Sequence, residues 1–194
     1  SDYLTEGPLI DQFEKTFAKS VGSKYAIVCS SGTAGLHLAS VCLNIDSQST
    51  VLVPAISFVA TANAPMYTGA NIEFVDVDPR TGLISAKTLS EAIINSSNEV
   101  KVLFYVHLNG IVQDLSEISN ICKNHNIMII EDSCHAIGGS MAAHKIGSCY
   151  NSEMSVFSFH PVKTITMGEG GVVTTNSKKY KKKLKLFRSH GIVK

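Results

Sequence analysis

The chain has 194 residues, of which 44% are hydrophobic and 17% charged, and its formal net charge is +1. A chain of this size can bury one sizeable core, and its near-neutral charge gives no indication of a nucleic-acid partner. No apolar run approaches the roughly 20 residues that span a bilayer, and no signal peptide is recognisable, so we expect no membrane partner. The five cysteines form no Cys-x-x-Cys pair, and the seven histidines lack ligand spacing alongside acids or thiols. We therefore expect reduced thiols, a cytoplasmic location and no metal site.

Strand and helix patterns alternate through the first two thirds of the chain. Predicted strands cover 24–29, 50–53, 71–75, 101–106 and 127–131. Predicted helices cover 33–43, 58–67, 86–94 and 115–124. This alternation predicts an α/β fold with a mostly parallel sheet and helices on both faces, a three-layer α/β/α arrangement.

The pattern changes after Gly138. Two predicted strands, 154–159 and 171–175, follow each other without an intervening helix, so we expect them to be antiparallel and the sheet to be mixed. The last predicted element is a helix over 178–188. Its lysines predict a solvated helix face, because no aromatic residues alternate with them as a nucleic-acid site requires. They are Lys178, Lys179, Lys181, Lys182, Lys183 and Lys185.

Candidate functional residues fall at the carboxyl ends of predicted strands, where open α/β sheets bind ligands. The first group, Ser30-Ser31-Gly32-Thr33, joins the first strand to its helix. Glycine lets the backbone approach a phosphate, the helix N-terminus presents free N–H groups, and the hydroxyl adds a donor. The alternative interpretation is an ordinary helix cap.

Asp132 follows the apolar strand 127–131, and His135 lies three residues further on. A carboxylate at that position can hold a cationic group of a bound ligand, and His135 can stack on a ligand ring or form a hydrogen bond with it. The alternatives are an acid that caps the next loop and a structural histidine.

Lys163 lies in the run SVFSFHPVK at 155–163, five residues after Ser158 and shortly before the glycine-rich segment 168–171. A lysine on a tight, water-poor loop loses its proton readily and condenses with a carbonyl group. The alternative is a lysine that extends to solvent. The order of the three features, a phosphate-type turn, then an acid after a strand, then a lysine after a strand, favours the chemical interpretation.

Four stretches resemble the pyridoxal-phosphate-dependent sugar aminotransferases of the DegT/DnrJ/EryC1/StrS family. They are 31–34 (SGTA), 56–63 (ISFVATAN), 131–136 (EDSCHA) and 158–163 (SFHPVK), and 4–8 (LTEGP) and 188–191 (RSHG) extend the resemblance over essentially the whole chain. The resemblance implies a PLP-dependent transferase fold of type I. Residues 1–194 would form its large domain, without the N-terminal segment and the smaller C-terminal domain found in members of the family.

The resemblance also implies roles for individual residues. Lys163 would hold pyridoxal 5'-phosphate through a covalent Schiff base, and Asp132 would pair with the ring nitrogen. His135 would lie beside the ring hydroxyl, and Phe58 would stack on the ring. The phosphate would be held by Gly32, Thr33 and Ser158.

The activity implied by the resemblance is transfer of an amino group from L-glutamate to a keto group of a nucleotide-linked sugar. The sequences of the motifs are most similar to those of enzymes that aminate C4 of a UDP-4-keto-6-deoxy-HexNAc for pseudaminic acid or related bacterial surface glycans. A homodimer is expected, because the family builds each active site from two subunits.

Two alternatives to this activity stay open. One is a related sugar dehydratase, although such members carry histidine at the position of Lys163. The other is a non-catalytic domain that binds the cofactor or a sugar nucleotide, or that acts only as an assembly partner.

Overall fold

Seven strands form one mixed sheet in the computed structural model, which describes residues 7–192. They are β1 (Tyr25–Cys29), β2 (Thr50–Pro54), β3 (Asn71–Val75), β4 (Val100–Val106), β5 (Met128–Asp132), β8 (Met154–Ser158) and β9 (Gly171–Thr175), while β6 (Ser140–Met141) and β7 (His144–Lys145) form a separate hairpin. The order across the sheet is β1-β9-β8-β5-β4-β2-β3. The strands from β8 to β3 are parallel, and β9 is antiparallel to both β8 and β1. The predicted mixed, mostly parallel sheet is confirmed.

Helices cover both faces of this sheet. They are α1 (Pro8–Val21), α2 (Gly32–Cys42), α3 (Ala60–Met66), α4 (Ala86–Asn95), α5 (Ser116–Asn124) and α6 (Lys178–Arg188). Alternate side chains of β4 divide between the two cores: Val102 and Phe104 join the cluster of α2, α3 and α6, whereas Leu103 and Tyr105 join that of α4 and α5. Strands buried on both faces require nearly continuous apolar sequence, which β4 has. The predicted three-layer architecture is confirmed.

The first helix, α1, was not predicted, although its sequence carries a helical pattern. Pro8 occupies its first turn, and Gly22 ends it with a φ of +80°, a conformation that favours glycine. Phe13 and Phe17 lie four residues apart, so they share one face of the helix. The Phe17 ring centroid lies 5.2 Å from that of Phe157 on β8, which fixes α1 against the sheet.

Helix α3 begins later than predicted, at Ala60 instead of residue 58. This leaves Phe58 in the loop before the helix, where its side chain is 66% exposed. The residues Leu4, Thr5 and Glu6, which contribute to the family resemblance, lie outside the described residues. Among those described, no helix is both long and apolar enough to cross a bilayer.

The prediction that the lysines of α6 form a solvated face is only partly right. Lys178, Lys179 and Lys182 are exposed, but the other three contact neighbouring elements. The Lys181 ammonium lies 4.6 Å from the ring centroid of Tyr25, and Lys183 donates to the carbonyl of Cys42 at 3.0 Å. Because α6 packs against α2 and β1, the lysines on its flanks lay their stems on apolar surface and keep their charged ends bonded.

A buried carboxylate joins α1 to β1 and α6. Glu14 is only 5% exposed, and its Oε1 accepts hydrogen bonds from the Val28 backbone N–H at 3.1 Å and from Arg188 Nη1 at 2.7 Å. Its Oε2 lies 3.2 Å from Lys185 Nζ. A charge removed from water needs such partners, so these three contacts make Glu14 a buried polar link between the helix α1 and the rest of the fold.

Replacing this carboxylate with an amide tests the link. Glu14→Gln removes the negative charge that faces Arg188 and Lys185, and we expect the free energy of unfolding to fall by about 2 kcal/mol. Chemical denaturation followed by circular dichroism measures the change. The matched control is Glu91→Gln, whose partner Lys87 lies 3.9 Å away on an exposed helix surface. The control should change stability by less than about 0.5 kcal/mol, and equal losses in both variants would contradict this role of Glu14.

Candidate active site

One cavity of about 440 Å³ lies at the carboxyl edge of the parallel strands. Its wall contains all seven residues that the sequence analysis assigned to a site: Gly32, Thr33, Phe58, Asp132, His135, Ser158 and Lys163. Another cavity, of about 580 Å³ beside α6, is larger but contains none of these seven. The sheet therefore brings together residues that are up to 131 positions apart in sequence, from Gly32 to Lys163.

The N-terminus of α2 forms one end of the cavity. Ser31 caps the helix, because its side chain accepts a hydrogen bond from the Ala34 N–H at 3.1 Å. The first N–H groups of a helix have no partner within it and favour an anion. A Cβ at Gly32 would lie 2.8 Å from the Cβ of Ser158 and 2.9 Å from the Sγ of Cys134. Only glycine lets the helix come this close to Ser158, so the turn combines a helix cap with a close approach of the backbone to the cavity wall.

A buried carboxylate lies at the end of β5. Asp132 is 6% exposed, and each of its oxygens accepts one hydrogen bond. Oδ2 accepts from the Thr61 hydroxyl at 2.8 Å, and Oδ1 accepts from the Cys134 backbone N–H at 3.2 Å. These donors compensate for the cost of burial. They also fix the direction in which the remaining lone pairs of the carboxylate face the cavity.

His135 is held in one orientation beside this carboxylate. Its Nδ1 accepts the backbone N–H of Asn109 at 3.3 Å, so in the neutral ring the proton lies on Nε2. Burial lowers the pKa of His135 below its ordinary value, and the Lys163 ammonium lowers it further, while Asp132 acts in the opposite direction. The imidazole is therefore neutral near pH 7 and can donate a hydrogen bond from Nε2.

Lys163 lies on a loop that is more exposed than the sequence indicated. The expected tight, water-poor loop is replaced in the described residues by a segment whose apolar side chains Val162 and Ile165 are 79% and 53% exposed. The loop is anchored at its base, where the Phe159 N–H donates to the Gly170 carbonyl at 2.9 Å, and it projects from there over the cavity. Lys163 itself is half-buried in the cavity wall.

Several residues in or next to the cavity were not assigned a role from the sequence. Ser57, Cys134, His160 and Glu169 line the wall. Thr61 does not line it but forms hydrogen bonds with Ser57 and Asp132, which do. Burial, and then the nearby Asp132, raise the pKa of the Cys134 thiol well above its ordinary value, so this thiol is not a nucleophile near pH 7. Thr61 lies within the quoted stretch 56–63, but no local pattern connects it to an acid that lies 71 residues away.

The sheet order and the cavity define an α/β domain of the aminotransferase fold, and solved structures agree. PseC of Helicobacter pylori, described as an aminotransferase involved in the biosynthesis of pseudoaminic acid, matches with a TM-score of 0.89 at 32% identity, over 100% of this chain and 51% of its own. NtdA of Bacillus subtilis, solved with its cofactor PMP bound, matches with a TM-score of 0.86 at 30% identity, over 94% of this chain and 40% of its own.

The chain belongs to the DegT/DnrJ/EryC1/StrS aminotransferase family, whose model matches residues 1–194. A curated relative, the UDP-4-amino-4,6-dideoxy-N-acetyl-beta-L-altrosamine transaminase of Campylobacter jejuni, is 41% identical over 193 residues, which are 100% of this chain and 50% of the relative. The chain thus spans about half the length of the curated relatives it matches.

The family implies pyridoxal phosphate as the cofactor, and the residues present fit that group. The close approach of Gly32 to Ser158 leaves N–H and hydroxyl donors for a phosphate at one end of the cavity. The same wall also contains the buried carboxylate of Asp132 and the neutral imidazole of His135. These are suitable partners for a pyridine ring nitrogen and a ring hydroxyl.

The charge balance at His135 can be tested by titration. Lys163→Ala removes the ammonium and should raise the pKa of His135, because the imidazolium then meets less repulsion. Asp132→Asn removes the opposing charge and should lower the pKa of His135 further. Imidazole resonances followed by NMR as a function of pH measure both shifts. Shifts of the same sign in the two variants would contradict the proposed electrostatics.

Proposed function

We propose that residues 1–194 form the cofactor-binding large domain of a pyridoxal-phosphate-dependent aminotransferase. The observation that carries the proposal is a single cavity that gathers a helix N-terminus, a buried carboxylate, a neutral histidine and a lysine amine.

The five cysteines are all free thiols, which supports a cytoplasmic location that cell fractionation would check.

The residues of the cavity divide the binding of the cofactor between them. The Lys163 amine would hold pyridoxal phosphate by condensing with its carbonyl group, with loss of water, and as a free amine it would move a proton as general base and acid. Asp132 would pair with the ring nitrogen, and His135 would donate from Nε2 to the ring hydroxyl. Phe58 would pack on the face of the ring. The phosphate would be bound by Gly32, Thr33 and Ser158. When bound, the cofactor supplies a carbonyl group that accepts and returns an amino group, next to an electron-withdrawing ring.

The proposed substrates of the whole protein are L-glutamate and a nucleotide-activated 4-keto-6-deoxy sugar. The names of the relatives support this choice, since one is a transaminase of a UDP-linked dideoxy amino sugar and another serves pseudoaminic acid biosynthesis. The product would then enter a bacterial surface glycan. Lys163 argues against the dehydratase alternative, because the amine is the group that an amino transfer needs.

Covalent trapping tests the cofactor and the reaction together. Incubation with pyridoxal phosphate followed by borohydride should leave a stable adduct, which peptide mapping by mass spectrometry should locate at Lys163. Prior incubation with L-glutamate should reduce the trapped fraction, because the aminated cofactor has no carbonyl group left to bond to the lysine.

The controls for this experiment separate the site from the many other lysines. Lys163→Ala should abolish the mapped adduct, whereas Lys101→Ala, at a lysine that donates to the Asn44 carbonyl far from the cavity, should leave it intact. An adduct spread over the surface lysines would argue against a cofactor site. An adduct at Lys163 that L-glutamate leaves unchanged would favour the non-catalytic binding domain.

The exposed apolar side chains around the cavity support the proposed homodimer. Phe58 and Val162 line the cavity, yet they are 66% and 79% exposed, and Ile165 on the same loop as Val162 is 53% exposed. Apolar surface of this kind next to a ligand site marks a contact with another protein surface. A second copy would cover this surface and exclude water from the cofactor.

A charge placed on this surface should weaken the dimer. Val162→Asp should shift the sedimentation coefficient towards the monomer at concentrations where the unmodified chain is dimeric, because the carboxylate would lose its hydration in the interface. Ile94→Asp is the matched control, since Ile94 is 80% exposed on α4, which covers the opposite face of the sheet. A monomeric unmodified chain, or equal shifts in the two variants, would contradict the proposal.

A further inference from the structure

Thr61 is a buried polar residue next to the cavity that the proposed function does not use. Its side chain is 0% exposed, and its hydroxyl donates to Asp132 Oδ2 at 2.8 Å. It lies on α3, whereas Asp132 ends β5, so the contact joins two elements that are distant in sequence. A buried hydroxyl on a helix usually bonds to its own backbone, so a hydroxyl directed at a carboxylate needs an explanation.

The hydrogen bonds around Thr61 can be assigned by counting protons. An ionised carboxylate only accepts, so the single proton of the Thr61 hydroxyl is donated to Asp132. The Ser57 hydroxyl lies 2.6 Å from the Thr61 hydroxyl and 3.2 Å from the Phe58 carbonyl. Because the Thr61 proton is already used, we assign Ser57 as the donor in the shorter contact. The result is a directed chain in which Ser57 donates to Thr61 and Thr61 donates to Asp132.

This chain also connects the acid to the loop that carries Phe58. Ser57 precedes Phe58, and the Thr61 backbone N–H donates to the Phe58 carbonyl at 3.0 Å. Phe58 thus lies in sequence between two residues of the chain of hydroxyls. The start of α3 therefore contacts both the carboxylate and the residue proposed to stack on the ring.

We propose that Thr61 is a positioning residue, which orients Asp132 towards the ring nitrogen of the cofactor through the hydrogen bond to Oδ2. The inference rests on the proposed function, because it takes the ring nitrogen of pyridoxal phosphate as the partner of Asp132. Thr61 supplies one of two donors that fix the plane of the carboxylate; the Cys134 N–H on Oδ1 is the other. Without the hydroxyl, only the Cys134 N–H restrains rotation of the carboxylate about its Cβ–Cγ bond, and a charge-assisted hydrogen bond is lost.

The test compares two ligands that differ only at the ring nitrogen. Thr61→Val keeps the shape of the side chain and removes the donor, and we expect it to raise the dissociation constant of pyridoxal 5'-phosphate about tenfold. The dissociation constant of 1-deazapyridoxal 5'-phosphate, in which a C–H group replaces the ring nitrogen, should change much less. Spectroscopic titration measures both constants on the chain as it stands, without reference to activity.

Two further variants separate positioning from general damage to the fold. Thr61→Ser restores the donor and should restore affinity for pyridoxal phosphate. In an Asp132→Asn background, Thr61→Val should have little additional effect, because the two residues act through one bond. Circular dichroism confirms that each variant is folded, and Thr61→Ala replaces Thr61→Val if the valine variant is not.

The outcomes distinguish this inference from the proposed function. If the unmodified chain does not bind pyridoxal phosphate, the proposed function fails first. If the unmodified chain binds it but Thr61→Val weakens both ligands equally, or Thr61→Ser fails to restore binding, the positioning role is overturned while the cofactor site stands. Selective weakening of pyridoxal phosphate that serine reverses supports the role.

Discussion

Two consecutive carboxylates are buried at the end of β5, and the organisation of the cavity depends on how they are accommodated. Glu131 and Asp132 are 5% and 6% exposed and point to opposite faces of the sheet, as neighbouring residues of a strand must. Glu131 is bonded to His107 Nε2 at 2.8 Å and to the Ser152 hydroxyl. Burying two carboxylates is costly unless each has hydrogen-bonding partners. These contacts therefore allow β5 to end in two consecutive buried acids. Because β5 lies between β4 and β8 in the sheet, the acid that faces the cavity has a fixed position.

The cavity combines this rigid edge with groups carried on exposed loops. Asp132 and Gly32 belong to regular elements held by the packed core, whereas Phe58 and Lys163 lie on loops. Loops placed by a rigid scaffold are the usual carriers of binding residues. Asp132 and the N-terminus of α2 therefore have fixed positions, whereas the positions of Phe58 and Lys163 depend on how their loops are held.

The sequence predicted those parts of the fold that depend on short-range patterns. The bounds of β3, β9 and α6 agree with the prediction residue by residue, because each has a strong apolar or charged pattern with clear ends. The positions of site residues at strand ends followed from the general behaviour of parallel sheets. The pairing of Thr61 with Asp132, and that of Glu14 with Arg188, could not be predicted, because they depend on the packing of elements 71 and 174 residues apart. The exposure of the Lys163 loop likewise depends on which elements pack beside the loop. A local sequence pattern does not predict this packing.

The protonation of His135 shows how a backbone turn can determine side-chain chemistry. Asn109 and Gly110 have φ values of +53° and +78°, in the left-handed region that asparagine and glycine tolerate best. This turn follows β4 and directs the Asn109 N–H at His135 Nδ1. A histidine with Nδ1 occupied as an acceptor can only donate from Nε2 while it is neutral, and burial together with Lys163 favours the neutral form. The turn therefore selects the tautomer, and the buried, cation-flanked setting selects the charge, so that His135 presents a single uncharged donor to the cavity.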